Sequence, residues 1–544
     1  MLTLAALFCF SAPLWTNHVQ QFHGQNLFLE ADSIVWLGII LSTGVLFDVI
    51  PSFYFKFIDS IAYFIKKHFK IFSVLYLLLL FTSLALVNQK ILHSFMNSAD
   101  EHSCYFLAEC IRHGKFWAIP HPFSEFFDVV HVGNKAGKWF SVYPPGWPFF
   151  MAIGLQLNVL DLINPVLSIF SVVLFYKIGK KLFSFFPTIL GILFASMTPF
   201  FLLNNASYFS HTTCLLFISI FLFSYLKWEE TQKPSWAVLA AFAVGYGLGT
   251  RYLTMAAVVG PFLISHLMKL IQKREKWTKS HTCFMFVFLI MFLFNFYFNY
   301  VITGNPFNAP NHYYHGWERL GFNKSYTIIT ALIFILARFF YLINWIPSIT
   351  LFFYLFSLLS KTNDSLNQKL FRFGFFYPVI GYMFYYSWGG NQYGPRYYFE
   401  GIFFLYIAAA ERISFLWKNR PSTKKLIVGM VFASIICNTY LIQKQFTYFE
   451  QASRERKSLY ALAEKSIKHP SVVFVRGFLG DKLVMSQEDA IRNNPSLNAK
   501  ILYAADLKKE NIKLIKYFPN REFYLGYYDR PHKLPKLEFY QNEQ

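Results

Sequence analysis

Apolar runs long enough to cross a bilayer recur along most of this chain. The clearest is "IFSVLYLLLLFTSLALV", residues 71–87. Candidate spans cover 32–50, 71–88, 163–180, 185–203, 209–226, 235–250, 252–270, 282–302, 345–360, 370–387, 397–417 and 424–442. A spanning helix needs roughly 17–25 mainly apolar residues, because the bilayer has no water to satisfy a free peptide group. Only 15% of the 544 residues are charged, against about 25% in a soluble chain. The ten-residue alternating segments of a membrane barrel are absent. The first fifteen residues, "MLTLAALFCFSAPLW", are apolar without the basic start of a signal peptide and read as a short extra membrane segment. The expected fold is an all-α polytopic membrane protein of about 12–13 helices.

The net charge of +21 comes from basic loops between the spans rather than from a nucleic-acid surface. Lys56, Lys66, Lys67 and Lys70 precede the second span, and Lys177, Lys180 and Lys181 follow the third. "KWEETQK", "KLIQKREKWTKS", "KTNDSLNQKLFR" and "KNRPSTKK" continue the series. All fall on one side if two further apolar segments, 147–160 and 326–343, do not cross. The positive-inside rule makes that side cytoplasmic. The other side receives the long loop 89–146, a turn at Arg251, the loop 303–325, the turn 388–396 and the tail from about 445.

Three regions follow: N-terminal membrane segments 1–70, a transmembrane domain 71–442, and an extramembrane domain 445–544. In the last, "SVVFV" (471–475), "KILYAADL" (500–507) and "REFYLGYYD" (521–529) read as strands and 453–467 as helix, a small α/β unit. The six cysteines have neither metal spacing nor a CxxC pair. Cys104 and Cys110, six residues apart on one helix, stand about 9 Å apart, too far for a disulfide.

Five stretches on the outer side carry chemistry. "NSADEHSCYFLAECIRHG" (97–114) opens with Asp100 and Glu101. Asp100 can cap a helix over 101–113, which would keep its carboxylate ionised. "KWFSVYPPGWPFF" (138–150) has two stiff prolines, Pro144 and Pro145, after Tyr143, and a glycine that lets the chain turn. Arg251, in "GYGLGTRYLT", sits at the tip of a hairpin between two spans, placed to snorkel or to bind phosphate. "WGGNQYGPRYYFE" (388–400) brings Tyr393, Arg396 and Glu400, the last two one turn apart and able to pair. The loop 303–323, with His312, is rich in Asn, His and aromatics that suit sugar rings and hydroxyls. His121, Glu125, Asp128 and His131 offer metal ligands without a recognised spacing; a divalent metal is compatible with them, and no cofactor is assigned.

An acid pair opening the first large outer loop, followed by "YPPGW" and later "YGPRYYFEGIFFL", resembles the GT-C membrane glycosyltransferases. Within them the chain is most similar to family 39, the protein O-mannosyltransferases and lipid A aminoarabinose transferases. "NNPSL" and "LYAADL" in the tail resemble an uncharacterised bacterial subgroup. The resemblance implies a polyprenyl-phosphate sugar donor, a hydroxyl acceptor, an inverting displacement, and a bacterial inner-membrane location with the site facing out. It implies Asp100 as catalytic base with Glu101 as its helper. Tyr105, Tyr143, Pro144, Pro145, Arg251, His312, Tyr393 and Arg396 are the candidate substrate-binding set, with both arginines as candidates to hold the departing phosphate. Two departures stand out. Tyr143 occupies the position where the aminoarabinose transferases carry lysine. The trefoil insertion of the mannosyltransferases has no counterpart.

Two other classes fit a polytopic chain. A lipid or polysaccharide flippase would place charges and broken helices near the midplane. A non-catalytic assembly subunit would tolerate loss of both acids.

Overall fold

The computed structural model describes residues 53–316, 320–360, 363–390, 392–476, 490–529 and 534–540. The first fifteen residues and the expected span at 32–50 lie outside them. Helices α1 (Phe53–Lys67) and α2 (Phe69–Leu86) lead to the outer loop, which opens with α3 (Ala99–Arg112). That loop also holds a hairpin, β1 (Val132–Lys135) and β2 (Lys138–Ser141), not anticipated from sequence. Its two turn residues, Ala136 and Gly137, both have positive φ, 52° and 70°, as a twisted two-residue hairpin turn requires.

The membrane bundle follows: α4 (Gly146–Gln156), α5 (Leu160–Leu182), α6 (Phe185–Ser196), α7 (Pro199–Ala206), α8 (His211–Thr231), α9 (Pro234–Ile271) and α10 (Lys279–Thr303). After the short α11 (Pro310–His315) come α12 (Ile328–Leu342), α13 (Ser348–Leu359), α14 (Leu366–Phe373), α15 (Phe376–Gly381), α16 (Ile402–Asn419) and α17 (Lys424–Ser466). Six helices among the described residues are long and apolar enough to cross a membrane. The count is seven if α6 and α7, bent by 67°, form one span. Several expected spans are broken: 370–387 becomes α14, α15 and a 3-10 turn, and 397–417 starts as a 3-10 helix over Arg396–Gly401. The two segments read as not crossing form α4, 11 residues, and α12, 15 residues, both shorter than a crossing needs.

The 38 residues of α9 are not one rod. Arg251 leaves helical geometry (φ −147°, ψ 82°). A Cβ on Gly247 would meet the sulfur of Met255 at 2.5 Å, whereas eight residues of straight helix span about 12 Å. Phe217 of α8 packs on Tyr246, and Phe223, nearer the far end of α8, on Trp236. Phe221 meets Phe262 and Trp228 meets His266. The first leg therefore runs antiparallel to α8 and the second parallel to it, a hairpin with Arg251 at its tip.

The bundle has two chemically different ends. One gathers the basic loops: Lys181 pairs with Glu230 at 2.7 Å, Lys269 with Glu229, and Arg372 with Glu411 at 2.8 Å. The other holds Asp100, Arg251, Arg396 and Glu400. Along α8, Ser210 marks the second end and Trp228 the first, eighteen residues or about 27 Å apart.

Beyond the span, α17 continues without a break into the tail, so no linker separates them near 445. The tail sheet has the order β4 (Ile501–Ala505), β3 (Ser471–Val475), β5 (Glu522–Asp529), β6 (Leu534–Phe539). Its first three strands are parallel, and β6 is an antiparallel edge missed in the sequence. β3 is buried throughout, as a continuous apolar strand inside a parallel sheet must be. Phe126 and Phe127 of the outer loop share one core with Val472 and Phe474. Loop and tail are thus one unit above the bundle.

Candidate active site

The acid pair is positioned by a cap, but Asp100 is not the cap. Ser98 accepts the Glu101 N–H, and Glu101 in turn accepts the Ser98 N–H at 3.0 Å, a reciprocal capping box. The serine fits the cap better because its extended backbone (φ −140°, ψ 157°) precedes the first turn. Asp100, one residue inside, is left free for other partners. The second oxygen of Glu101 accepts the Tyr208 N–H at 2.9 Å, tying α3 to the turn before α8. Arg456 and Gln392 donate to the Asn97 carbonyl and Arg492 to that of Met96, so the tail domain also grips this entry segment.

Asp100 gathers three groups. Arg396 Nη2 lies 2.7 Å from one carboxylate oxygen. The Tyr143 hydroxyl donates to the other, and His131 Nε2 is 3.4 Å from it. The Asp100 side chain remains 17% exposed. Burial alone would raise this carboxyl, but the charge of Arg396, then that of His131, and the hydrogen bonds from Tyr143 and Arg396 prevail and lower it to about 2. Glu101 goes the other way: burial pushes it up to about 7 against its backbone hydrogen bonds. Burial likewise pushes the Tyr143 hydroxyl well above its ordinary value.

His131 reaches Asp100 from a left-handed backbone position (φ 66°). Its carbonyl accepts from Ser103 Oγ at 2.6 Å and the Val142 N–H at 3.1 Å, contacts that hold this uncommon conformation. Tyr143 is fixed by Pro144-Pro145-Gly146. Glycine is needed at 146 for close approach: a Cβ there would stand 2.1 Å from Thr250 Oγ1 and 2.8 Å from the Gly249 carbonyl. The double-proline stretch thereby rests on the tip of the α9 hairpin.

A second centre adjoins the first. Arg251 Nε lies 3.3 Å from Glu400, and His211 Nδ1 is 3.0 Å from the same oxygen. Arg251 also donates to Ser210 at 3.3 Å and to the Tyr382 hydroxyl at 2.9 Å. The Arg396–Glu400 pair suggested by their spacing does not form. The 3-10 geometry of 396–401 sends the two side chains apart, Arg396 to Asp100 and Glu400 to Arg251. The Tyr397 ring lies 5.8 Å from one guanidinium and 6.0 Å from the other. Phe209 lies 4.5 Å from that of Arg396.

The other expected site residues are elsewhere. Tyr105 stacks on His102 farther along α3. Tyr393 is fully buried against Phe449 and Phe209, a packing position. His312 is exposed and bonds to Asn308; His315, on the same short helix, faces His131 at 6.2 Å between rings. The suggested metal set does not converge. His121 packs among Phe127, Tyr517 and Phe518, Asp128 is exposed, and His131 faces Asp100.

Sequence reasoning missed His211, Tyr382 and Arg338. Fully buried Arg338 donates to the carbonyls of Trp388, Ser387 and Tyr382 and so secures the turn that delivers Arg396. A signal existed for two of them: an ionisable residue within or beside an apolar run usually has a partner or a function.

A family model described as dolichyl-phosphate-mannose-protein mannosyltransferase matches residues 142–298, which carry the double proline and the Arg251 hairpin. No curated protein matches the sequence. Among solved structures, ArnT from Cupriavidus metallidurans bound to undecaprenyl phosphate superposes with a TM-score of 0.52 at 11% identity, covering 86% of this chain and 94% of that one. The apo state of the same protein gives a TM-score of 0.50 with the same identity and coverage. At that identity the likeness is one of fold. This multi-span chain, with its acid pair at the foot of the outer loop, thus shares the fold of ArnT over most of its length and matches the mannosyltransferase family model over residues 142–298.

Proposed function

We propose that this chain is a glycosyltransferase that moves a sugar from a polyprenyl-phosphate donor to a hydroxyl acceptor, with inversion, at the non-cytoplasmic face of the membrane. The observation that carries the reading is the Asp100 carboxylate, ionised and partly exposed between Arg396, Tyr143 and His131. A lipid phosphate as leaving group is supported by the fold relative crystallised with undecaprenyl phosphate. The outward orientation is supported by the basic loops at the opposite end.

In the reaction the acceptor oxygen attacks the anomeric carbon as Asp100 takes its proton. The carbon–oxygen bond to phosphate breaks, and phosphate leaves with the electron pair. Arg396 and Arg251 meet the developing charge, an electrostatic contribution strengthened by the dry setting. A carboxylate held near 2 is a weak base while Arg396 is bound to it. Donor phosphate competes for that guanidinium and so raises the basicity of Asp100 when the donor is in place. Glu101 positions Asp100 through the cap and the Tyr208 N–H. Tyr143, Pro144 and Pro145 line the approach.

Surface glycans compared by mass spectrometry between wild-type cells and Asp100→Asn cells test this. Loss of one glycan species at matched protein levels is expected; unchanged glycans would overturn the reading.

A further inference from the structure

The basic end of the bundle carries an amphipathic helix that the spans do not cover. In α1 the apolar residues Ile58, Ile61, Ala62 and Ile65 follow the i, i+3, i+4, i+7 spacing of one helical face, with Phe64 at its edge. Asp59, Ser60, Tyr63, Lys66 and Lys67 fill the opposite arc. Part of the apolar face has no protein over it: Ile61 is 43% exposed and Phe64 61%.

Two anchors hold this helix at the level where the spans end. Phe69, the first residue of α2, packs on Phe185, the first residue of α6, and on Tyr176 of α5. Ten residues back, about 15 Å along a helix, Asp59 accepts the Trp417 indole N–H at 3.1 Å, and Trp417 lies in the last turn of α16. Helix α1 therefore runs along the basic end rather than away from it. Its exposed apolar face continues into exposed Ile71, Val74 and Leu75 of the span α2. Exposed cations flank it: Lys66 and Lys67 on the helix itself, and Lys418 and Arg420 just beyond Trp417. The one acid of α1, Asp59, is turned to the indole.

We propose that α1 is an interfacial anchor that binds anionic phospholipid in the leaflet at the basic end of the bundle. Ile61 and Phe64 enter the acyl boundary, and Lys66, Lys67, Lys418 and Arg420 meet the headgroup phosphates. An apolar face bordered by cations, continuous with a lipid-facing span, complements a negatively charged membrane surface. A second copy of this chain would bring the same positive charge to the contact and be repelled. The anchor lies at the opposite end of the bundle from Asp100, and its test needs no transfer activity.

Full-length protein carrying Ile61→Cys or Tyr63→Cys is labelled with bimane and placed in phosphatidylcholine nanodiscs. Unsubstituted protein, labelled in parallel, supplies the background of native thiols. The two positions are both exposed, and two helical residues are about 200° apart in rotation, so the labels report opposite sides of α1. Iodide in the water should quench the label at 63 and spare that at 61; lipid brominated on its acyl chains should do the reverse. Brominated phosphatidylglycerol at trace mole fraction should quench position 61 more strongly than brominated phosphatidylcholine at the same fraction. Lys66→Gln/Lys67→Gln should reduce that preference about 5-fold for each charge lost. Iodide quenching of both positions would put α1 in water, and quenching of position 61 by neither agent would put a protein partner on it. Either result overturns the proposal, as does equal quenching by the two brominated lipids or a preference that the lysine variant keeps.

Discussion

Two carboxylate–arginine centres lie side by side at the end of this bundle away from the basic loops, built from the same residue types. Asp100 has Arg396, His131 and a tyrosine; Glu400 has Arg251 and His211, with Tyr382 on the arginine. They differ in access. The Asp100 and His131 side chains are 17% and 24% exposed, whereas those of Glu400 and His211 are 0%. Composition therefore does not separate a reacting group from a structural one here; reach does. A sealed ion pair can orient and hold, and only the open one can meet a substrate proton.

Substitutions can break that contrast. Asp100→Asn should lower transfer by about 10²- to 10⁴-fold, the worth of a positioned proton acceptor, with a smaller fall in Tm from the lost pair with Arg396, measured on purified protein with a polyprenyl-phosphate sugar. Glu400→Ala should do the reverse. Removing one partner of a buried pair costs about 3–5 kcal/mol, read as a lowered Tm and yield. The double variant Arg251→Met/Glu400→Leu should regain stability but not activity if Arg251 meets the leaving phosphate as proposed.

Arg396→Gln sharpens the electrostatic side. Removing the cation favours the protonated acid, so the Asp100 carboxyl should rise from about 2 toward the ordinary value of about 3.9. The acidic limb of the activity profile then moves to higher pH, and KM for the donor rises. In wild type the depressed carboxyl contributes stability above about pH 4 that is lost as pH falls toward about 2.

Glu101→Gln should have the smallest effect. Weakening the capping box costs about 0.5–2 kcal/mol, with activity following the folded fraction. Because Glu101 is raised to about 7, it binds its proton more tightly folded than unfolded. Its contribution is greatest below about pH 4.3 and falls away as pH rises to about 7. Tm followed from pH 5 to 8 should fall in wild type and flatten in Glu101→Gln.

The long spans, the hairpin at Arg251 and strand β3 were legible because each depends on local properties: an apolar run of fixed length, a charge between two such runs, an apolar five-residue stretch. The partners were not. Spacing suggested Asp100 as a cap and Arg396 with Glu400, yet Ser98 caps and the two pairs are crossed. The sequence by itself determined that the chain is a multi-span helical membrane protein, the contrast in charge between its two ends and the presence of an acid pair at one of them, since hydrophobicity and charge act residue by residue. Only the tertiary structure decided which acid stayed open and which cation each would face. Those contacts join residues as much as 296 positions apart, and no local pattern encodes which of several arginines a fold will deliver to one carboxylate.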